Sequence, residues 1–196
     1  MDDNKGIRLD VGCGQTLQEG WTGIDIVPNP YKEMPKDAAY IQQDCFQFPW
    51  KVESDSVEEA RMIHFFEHVP QQLRFQFMDE LYRIMKVGAK CLIICPYYSS
   101  MRAVQDPTHM WPPISEASFY YFNKGWRTVN KLDHYGYDVN GTWNYVQCDF
   151  DWGGNVSLGA EWVSKARETQ EFASAHYINV GSDIVVTITK KANDSK

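Results

Sequence analysis

Short apolar runs, each bounded by glycine, proline or an acidic residue, divide the chain into predicted strands and helices. The run at 7–11 leads into two glycines, and the nearly continuous apolar run at 89–95 is typical of the middle of a parallel sheet. Apolar residues spaced three and four apart predict an amphipathic helix over 71–86, closed by Gly88. The pattern predicts further strands ending at Asp25 and over 39–43, 57–64, 145–152 and 184–189, and further helices over 115–123 and 160–172.

This order of elements predicts an α/β fold, with a doubly wound, mainly parallel sheet of about seven strands and an antiparallel last strand. Only ten residues separate Val11 from Thr22, which is fewer than a parallel crossover normally needs. We therefore expect the first helix to be reduced to a turn or two around 15–19, closed by Gly20. An insertion over 153–175 is expected before the last strand.

Composition and charge exclude several classes of protein. The net charge of −7 argues against a broad nucleic-acid-binding surface, which needs a basic stripe. No apolar run approaches the length of a membrane span, and the polar, acidic start is unlike a signal peptide. The five cysteines show no C-x-x-C spacing and are predicted to be small buried hydrophobes. We therefore expect a cytoplasmic protein without a nucleic-acid or membrane partner.

A strand that ends in two glycines, followed by a strand that ends in an acid, is the most informative pattern about the ligand. Gly12 and Gly14 allow unusual backbone angles and close approach of a ligand, and Asp25 is placed to bind ribose hydroxyls. Dinucleotide-binding proteins have a third glycine where this chain has Leu17, and Asp10 would repel a pyrophosphate. We therefore predict a nucleoside ligand with a positive charge. A nicotinamide-dependent oxidoreductase is the alternative enzyme.

The sequence segments LDVGCG and GIDI resemble the first two motifs of class I S-adenosylmethionine-dependent methyltransferases. The compressed first crossover ending at Trp21 resembles a subgroup with a shortened first helix, the methyltransferase type 11-like proteins. The resemblance implies a Rossmann-like methyltransferase fold, S-adenosyl-L-methionine as cofactor, and an acid that binds the adenine amino group. The implied cofactor-binding residues are Asp10, Gly12, Cys13, Gly14, Gln15, Asp25, Ile26, Asp44, Cys45, Phe46 and His64.

The run YRIMKVGAKCLIICP resembles a helix end and fifth strand of the same family, with departures at Val87 and Ala89. The resemblance covers about 7–96 and little of the rest. It implies one methyltransferase domain over 1–196, in which the first half binds the cofactor and residues 97–190 form the acceptor side.

Candidate catalytic residues lie on the loops that follow the fourth and fifth strands. Methyl transfer requires the nucleophile, methyl carbon and sulfur to be in line, and a hydroxyl acceptor also requires a base. We predict His109 as the base, Asp106 as the group that orients it, and His68 as a further catalytic residue. These three are alternatively ligands of a divalent metal, but the pattern is weak and no metal is expected. The alternative role of the Glu67–His68 pair is to orient the next helix.

Aromatic residues after the fifth strand bear on the acceptor. Tyr97, Tyr98 and Trp111 either pack in the core or line an acceptor pocket, where ring faces stabilise a sulfonium and stack on sugars. We predict O-methylation of a small-molecule or saccharide-like (glycan-like) acceptor. The non-enzyme alternative is a methyltransferase-like binding module with an idle site, which only turnover can exclude.

Overall fold

The computed structural model describes residues 6–134 and 146–192, which form seven strands and six short α-helices. The strands are β1 (Ile7–Val11), β2 (Thr22–Asp25), β3 (Ala39–Gln42), β4 (Val57–Ile63), β5 (Met85–Pro96), β6 (Phe150–Leu158) and β7 (Gly181–Lys190). The α-helices are α1 (Arg74–Ile84), α2 (Arg102–Gln105), α3 (Glu116–Tyr120), α4 (Lys124–Val129), α5 (Ala160–Val163) and α6 (Arg167–His176), and 3₁₀ turns at Phe66–His68 and Gln71–Leu73 precede α1.

All seven strands belong to one sheet, in the order β3-β2-β1-β4-β5-β7-β6. Strands β1 to β5 pair in parallel, and β7 runs antiparallel to both of its neighbours. The predicted α/β class, with a mainly parallel sheet and an antiparallel last strand, is therefore confirmed. The strand order reverses between β1 and β4, and in open α/β sheets ligands bind at the carboxyl ends of strands beside this point.

The core contains buried residues of the sheet together with Phe77, Met78 and Leu81 of α1. Phe77 on this helix is fully buried, and its ring lies 5.1 Å from Trp50 and 6.1 Å from both Phe65 and Phe66. Phe65 and Phe66 attach the helix to the loop that follows β4. The core therefore supports the same edge of the sheet that carries the candidate site.

Turns replace the first helix in the crossover between β1 and β2, as the spacing predicted. The Thr16 N–H donates to the Cys13 carbonyl over 3.1 Å, which closes one turn. The Tyr31 hydroxyl accepts from the Leu17 N–H at 2.7 Å and donates to the Gly14 carbonyl at 3.2 Å. A side chain from the next loop thus satisfies backbone groups that a helix would have paired.

Several predicted boundaries are wrong. The helix predicted over 160–172 is divided between α5 and α6, and the helix predicted over 115–123 ends at Tyr120. The helix predicted to extend to Lys86 ends at Ile84, and β5 begins at once with Met85, because Gly88 with φ of +80° lies in an irregular part of the strand rather than closing the helix. The start of the insertion predicted over 153–175 belongs to β6, which pairs along β7. The predicted strand over 145–152 begins outside the described residues.

The cysteines and the helices bear on the expectations from composition. All five cysteines are buried and none forms a disulfide, as predicted. Burial raises the pKa of Cys13 and of Cys45 to about 12, so both thiols stay protonated at neutral pH. In the part of the chain that the structure describes, no helix has the length and apolar character needed to cross a membrane.

The aromatic contact between α1 and the β4 loop can be tested by truncation. Phe77→Ala removes a fully buried ring and is expected to lower the free energy of unfolding by about 3–5 kcal/mol. Phe172→Ala, on the exposed side of α6, is the matched control and should cost under about 1 kcal/mol. Urea denaturation followed by circular dichroism measures both, and equal losses would contradict the described core.

Candidate functional site

The loop after β1 has the backbone shape that its glycines predict. Gly12 has φ of +69° and Gly14 has φ of +50°. A Cβ atom on Gly14 would meet nothing within 4 Å, whereas one on Gly12 would lie 1.9 Å from the ring of Phe65. Gly14 therefore presents bare backbone to open space, while Gly12 leaves room for Phe65 to pack against the loop.

The Asp25 carboxylate joins the end of β2 to this loop. One carboxylate oxygen accepts from the Gly14 N–H at 2.9 Å, and the other accepts from the Val27 N–H at 3.1 Å. A carboxylate oxygen has two lone pairs, so each oxygen keeps one for a further donor. Asp25 is thus fixed in place and still able to accept two hydroxyl hydrogen bonds.

Asp10 has a partner within the protein. Its carboxylate is buried and receives a guanidinium N–H of Arg61 at 2.5 Å, from the paired position on β4. Burial raises the pKa of Asp10 even though Arg61 acts to lower it. Arg61 also donates to Gln18 at 2.8 Å and stacks over the ring of Trp21 at 4.3 Å. The pair stabilises the loop, and direct contact between Asp10 and a cofactor stays a prediction.

Apolar side chains lie beside the loop, where the resemblance implies an adenine ring. The Phe46 ring stacks on Phe65 with 5.9 Å between ring centres, and Asp44 accepts from the Phe46 N–H at 2.8 Å. Ile26, directly after β2, is 63% exposed despite its apolar side chain. Cys45 is buried and bonds through sulfur to the Ile24 carbonyl, so its side chain is part of the packing.

The loop after β4 carries a buried acid beside a histidine. His64 has φ of +53°, and its Nδ1 lies 3.5 Å from one carboxylate oxygen of Glu67. The Glu67 side chain is buried, and among the described residues its other oxygen, Oε2, has no hydrogen-bond partner. Burial raises the pKa of Glu67 to about 7 and lowers the pKa of His64.

His68 and His109 meet at this loop, with their ring centres 4.9 Å apart. His109 Nδ1 lies 3.3 Å from the Ala103 carbonyl, and His68 Nδ1 lies 3.3 Å from the Thr108 carbonyl. Carbonyls only accept hydrogen bonds, and the Thr108 hydroxyl, 3.1 Å from His68 Nδ1, already donates to Asp106 at 2.7 Å. These contacts favour a proton on each Nδ1 and a free lone pair on each Nε2. Asp106 lies 3.8 Å from His109 Nε2, which is too long for a hydrogen bond, so the role of Asp106 in orienting His109 stays a prediction.

A buried arginine holds these two loops together. The Arg74 guanidinium donates to the carbonyls of Val69, Met110 and Pro112 at 2.7–3.2 Å. The Met110 N–H in turn donates to the Glu67 carbonyl at 2.8 Å. Burial lowers the pKa of Arg74 to about 10, which leaves it charged at neutral pH. The histidine on the later loop is thereby fixed against the acid on the earlier one.

The histidines border a cavity of about 240 Å³ at the carboxyl ends of β4 and β5. Its lining is mostly charged or ionisable and consists of His64, Glu67, His68, Pro96, Arg102, Gln105, Asp106 and His109. The structure thus brings together all three predicted catalytic residues and also His64. The predicted glycine-loop residues form a neighbouring group, and Phe65 touches that group at Gly12.

Four residues important to this geometry were not predicted as site residues: Tyr31, Arg61, Phe65 and Glu67. Arg61 left a signal in the sequence, because a cation between the apolar residues Ala60 and Met62 of a predicted strand calls for a partner. Tyr31 and Phe65 left none, since their contacts depend on how distant loops fold.

The buried ion pair provides a stability test. Arg61→Ala leaves the Asp10 carboxylate buried without its partner and should lower the free energy of unfolding by about 3–5 kcal/mol. Arg8 also stacks on Trp21, at 4.4 Å, but its pair with Glu59 is exposed, so Arg8→Ala should cost about 1 kcal/mol. Thermal unfolding compares the two, and a larger loss for Arg8→Ala would overturn this account.

Comparisons with known proteins come from structure alone. No protein-family model matches the chain, and no curated protein sequence matches it significantly. A solved S-adenosylmethionine-dependent methyltransferase from Archaeoglobus fulgidus is similar with a TM-score of 0.60 and 16% identity, over 95% of this chain and 87% of that one. The 1,6-didemethyltoxoflavin-N1-methyltransferase of Burkholderia thailandensis, solved with 1,6-didemethyltoxoflavin and S-adenosylhomocysteine, has a TM-score of 0.56 and 8% identity, over 96% of this chain and 72% of that one. At these identities the likeness shows that the chain has the Rossmann-like methyltransferase fold.

Proposed function

We propose that this protein is an S-adenosylmethionine-dependent methyltransferase that methylates an oxygen of a small-molecule or saccharide-like acceptor. The observation that carries the proposal is the open Gly14 backbone, held by Asp25 at the neighbouring tips of β1 and β2. The cavity bordered by histidines at the carboxyl ends of β4 and β5 supports it, because Phe65, next to the cavity residue His64, packs on Gly12 of this loop. The methyltransferase fold supports the same choice of cofactor.

Each part of the cofactor has a proposed set of contacts. The loop backbone from Gly12 to the exposed Gln15 lies along the amino-acid portion, and Cys13 contributes backbone only, because its side chain is buried. Asp25 binds the ribose hydroxyls with its two remaining lone pairs. The adenine ring lies against Ile26 and Phe46, and Asp44 accepts from its amino group. Asp10 acts through its pair with Arg61, and His64 borders the sulfonium end.

The proposed reaction is an in-line displacement at the methyl carbon. The acceptor oxygen forms a bond to that carbon as the carbon–sulfur bond breaks, and the sulfonium leaves as a neutral thioether. The leaving group therefore needs no proton, whereas the acceptor hydroxyl must lose one. His109 Nε2 presents a free lone pair to the cavity, and Asp106 at 3.8 Å favours the resulting positive charge. The ring of His68 packs against the ring of His109, and His68 is the third residue of the proposed catalytic group.

Exposed aromatic rings are the basis for the proposed acceptor class. Trp111 is 72% exposed and Tyr98 is 52% exposed, on the segment that follows β5. Flat exposed rings of this kind suit a sugar or another small cyclic acceptor. Tyr97 instead donates from its hydroxyl to Glu116 and packs edge-on against Tyr98, so it supports the wall rather than forming it.

Binding of S-adenosylhomocysteine tests the cofactor assignment. The unmodified chain is expected to bind it with a micromolar Kd in isothermal titration calorimetry. Asp25→Ala should weaken binding at least about 10-fold, because two hydrogen bonds to a charged acceptor are lost. Asp151→Ala, at an exposed position on β6, is the matched control and should bind normally. Binding of NADH in preference, or equal affinity of the two variants, would contradict the assignment.

Measurement of turnover tests the proposed catalytic residues and distinguishes an enzyme from a binding module without activity. Production of S-adenosylhomocysteine is followed with a panel of small phenols, alcohols and saccharides. His109→Gln should lower kcat about 100-fold while leaving S-adenosylhomocysteine affinity unchanged, because it removes the base that accepts the proton of the acceptor hydroxyl. His176→Gln, on α6, should behave as the unmodified protein does. Unchanged kcat in His109→Gln would remove that residue from the mechanism.

A further inference from the structure

We infer that the side chains of Glu67, His68 and His109 bind one divalent transition-metal cation. One ligand atom from each of the three lies within 4.8 Å of the others. Tetrahedral coordination with bonds of about 2.0–2.1 Å places ligand atoms about 3.3 Å apart, so small side-chain rotations complete the set. The site was not expected from the sequence, where only the two histidines and Asp106 were considered as ligands.

The strongest independent support is the unpaired oxygen of Glu67. Glu67 is only 5% exposed, and its Oε2 atom has no hydrogen-bond partner among the described residues. An unpaired carboxylate oxygen in such a place carries a large desolvation cost, which a bound cation would offset. The same side chain lines the cavity that contains both histidines.

The contacts that the Nδ1 atoms of His68 and His109 make with carbonyl oxygens are typical of histidines that bind a metal through Nε2. In metal sites the ring nitrogen that does not bind the metal usually donates to a carbonyl or carboxylate. Here the Nδ1 atoms of His68 and His109 lie against the carbonyls of Thr108 and Ala103, which leaves both Nε2 lone pairs for coordination. The three hydrogen bonds of the buried Arg74 hold the two loops in this arrangement before any ligand arrives.

The donor set limits the choice of cation. Two imidazoles and one carboxylate suit Zn²⁺, Mn²⁺ or Fe²⁺ rather than Ca²⁺ or Mg²⁺, which prefer oxygen ligands. Three protein ligands leave at least one coordination position free, as in catalytic metal sites. Asp106, which is partly exposed, lines the same cavity as the three proposed ligands.

A role for the cation in catalysis rests on the proposed function. A bound cation would lower the pKa of an acceptor hydroxyl, so the proton would go to solvent and the oxygen would bond to the methyl carbon as the carbon–sulfur bond breaks. The His109 Nε2 lone pair would then hold the cation instead of taking the proton. His109→Gln lowers turnover in either case, but removal of the metal with a chelator lowers it only when the cation takes part.

Zn²⁺ and Mn²⁺ titrations of the untagged, chelator-stripped full chain test the site. Calorimetry should show one high-affinity cation per chain. Glu67→Gln, which keeps the side-chain shape, and His68→Gln should each weaken the Kd at least about 10-fold, and His176→Gln should not. Circular dichroism checks the folding of each variant, and His109→Gln provides a third ligand variant if one of the others fails to fold.

Two measurements on the same samples separate this inference from the proposed function. Binding of S-adenosylhomocysteine without any high-affinity Zn²⁺ or Mn²⁺ site overturns the metal site and leaves the methyltransferase proposal intact. Cation binding that depends on Glu67 and His68, without S-adenosylhomocysteine binding, supports the metal site and overturns the methyltransferase proposal. Cation binding of equal strength in the unmodified chain and all ligand variants also overturns the metal site.

Discussion

The hydrogen bond from the Gly14 N–H to the Asp25 carboxylate ties the end of β1 to the end of β2, and the candidate cofactor site depends on it. The crossover between these strands is too short for a helix, so the loop has no helix N-terminus to stabilise its backbone. Asp25 and the Tyr31 hydroxyl supply that stability instead. The acid proposed to bind the ribose therefore also shapes the loop over which the rest of the cofactor lies.

The second constraint is the contact between Gly12 and Phe65. Because Gly12 lacks a side chain, the Phe65 ring packs directly on the loop, and the chain on either side of Phe65 carries His64 and Glu67. The cofactor loop and the histidine cavity are thus joined by one side chain rather than by a flexible linker. Arg74 fixes the far wall of the cavity through three carbonyls, so both halves of the proposed site are preorganised.

Local pattern predicted the parts of this molecule that depend on neighbours in sequence. The strands at Ile7–Val11 and Val57–Ile63, and the positive φ of Gly14, follow from apolar runs and from glycine. The end of α1 was predicted wrongly, because a glycine such as Gly88 is compatible with an irregular strand as well as with a helix end. The contacts of Phe65 with Gly12 and of Tyr31 with the backbone of the first loop depend on how distant loops pack, which no local pattern encodes.

A crystal structure of the full chain with S-adenosylhomocysteine tests the central claim most directly. The account predicts the adenosyl group beside Gly14 with its ribose hydroxyls on the Asp25 carboxylate, and its sulfur directed toward the cavity bordered by His64, His68 and His109. Density for the ligand elsewhere on the sheet, or an Asp25 carboxylate that makes no contact with the ribose, would contradict it.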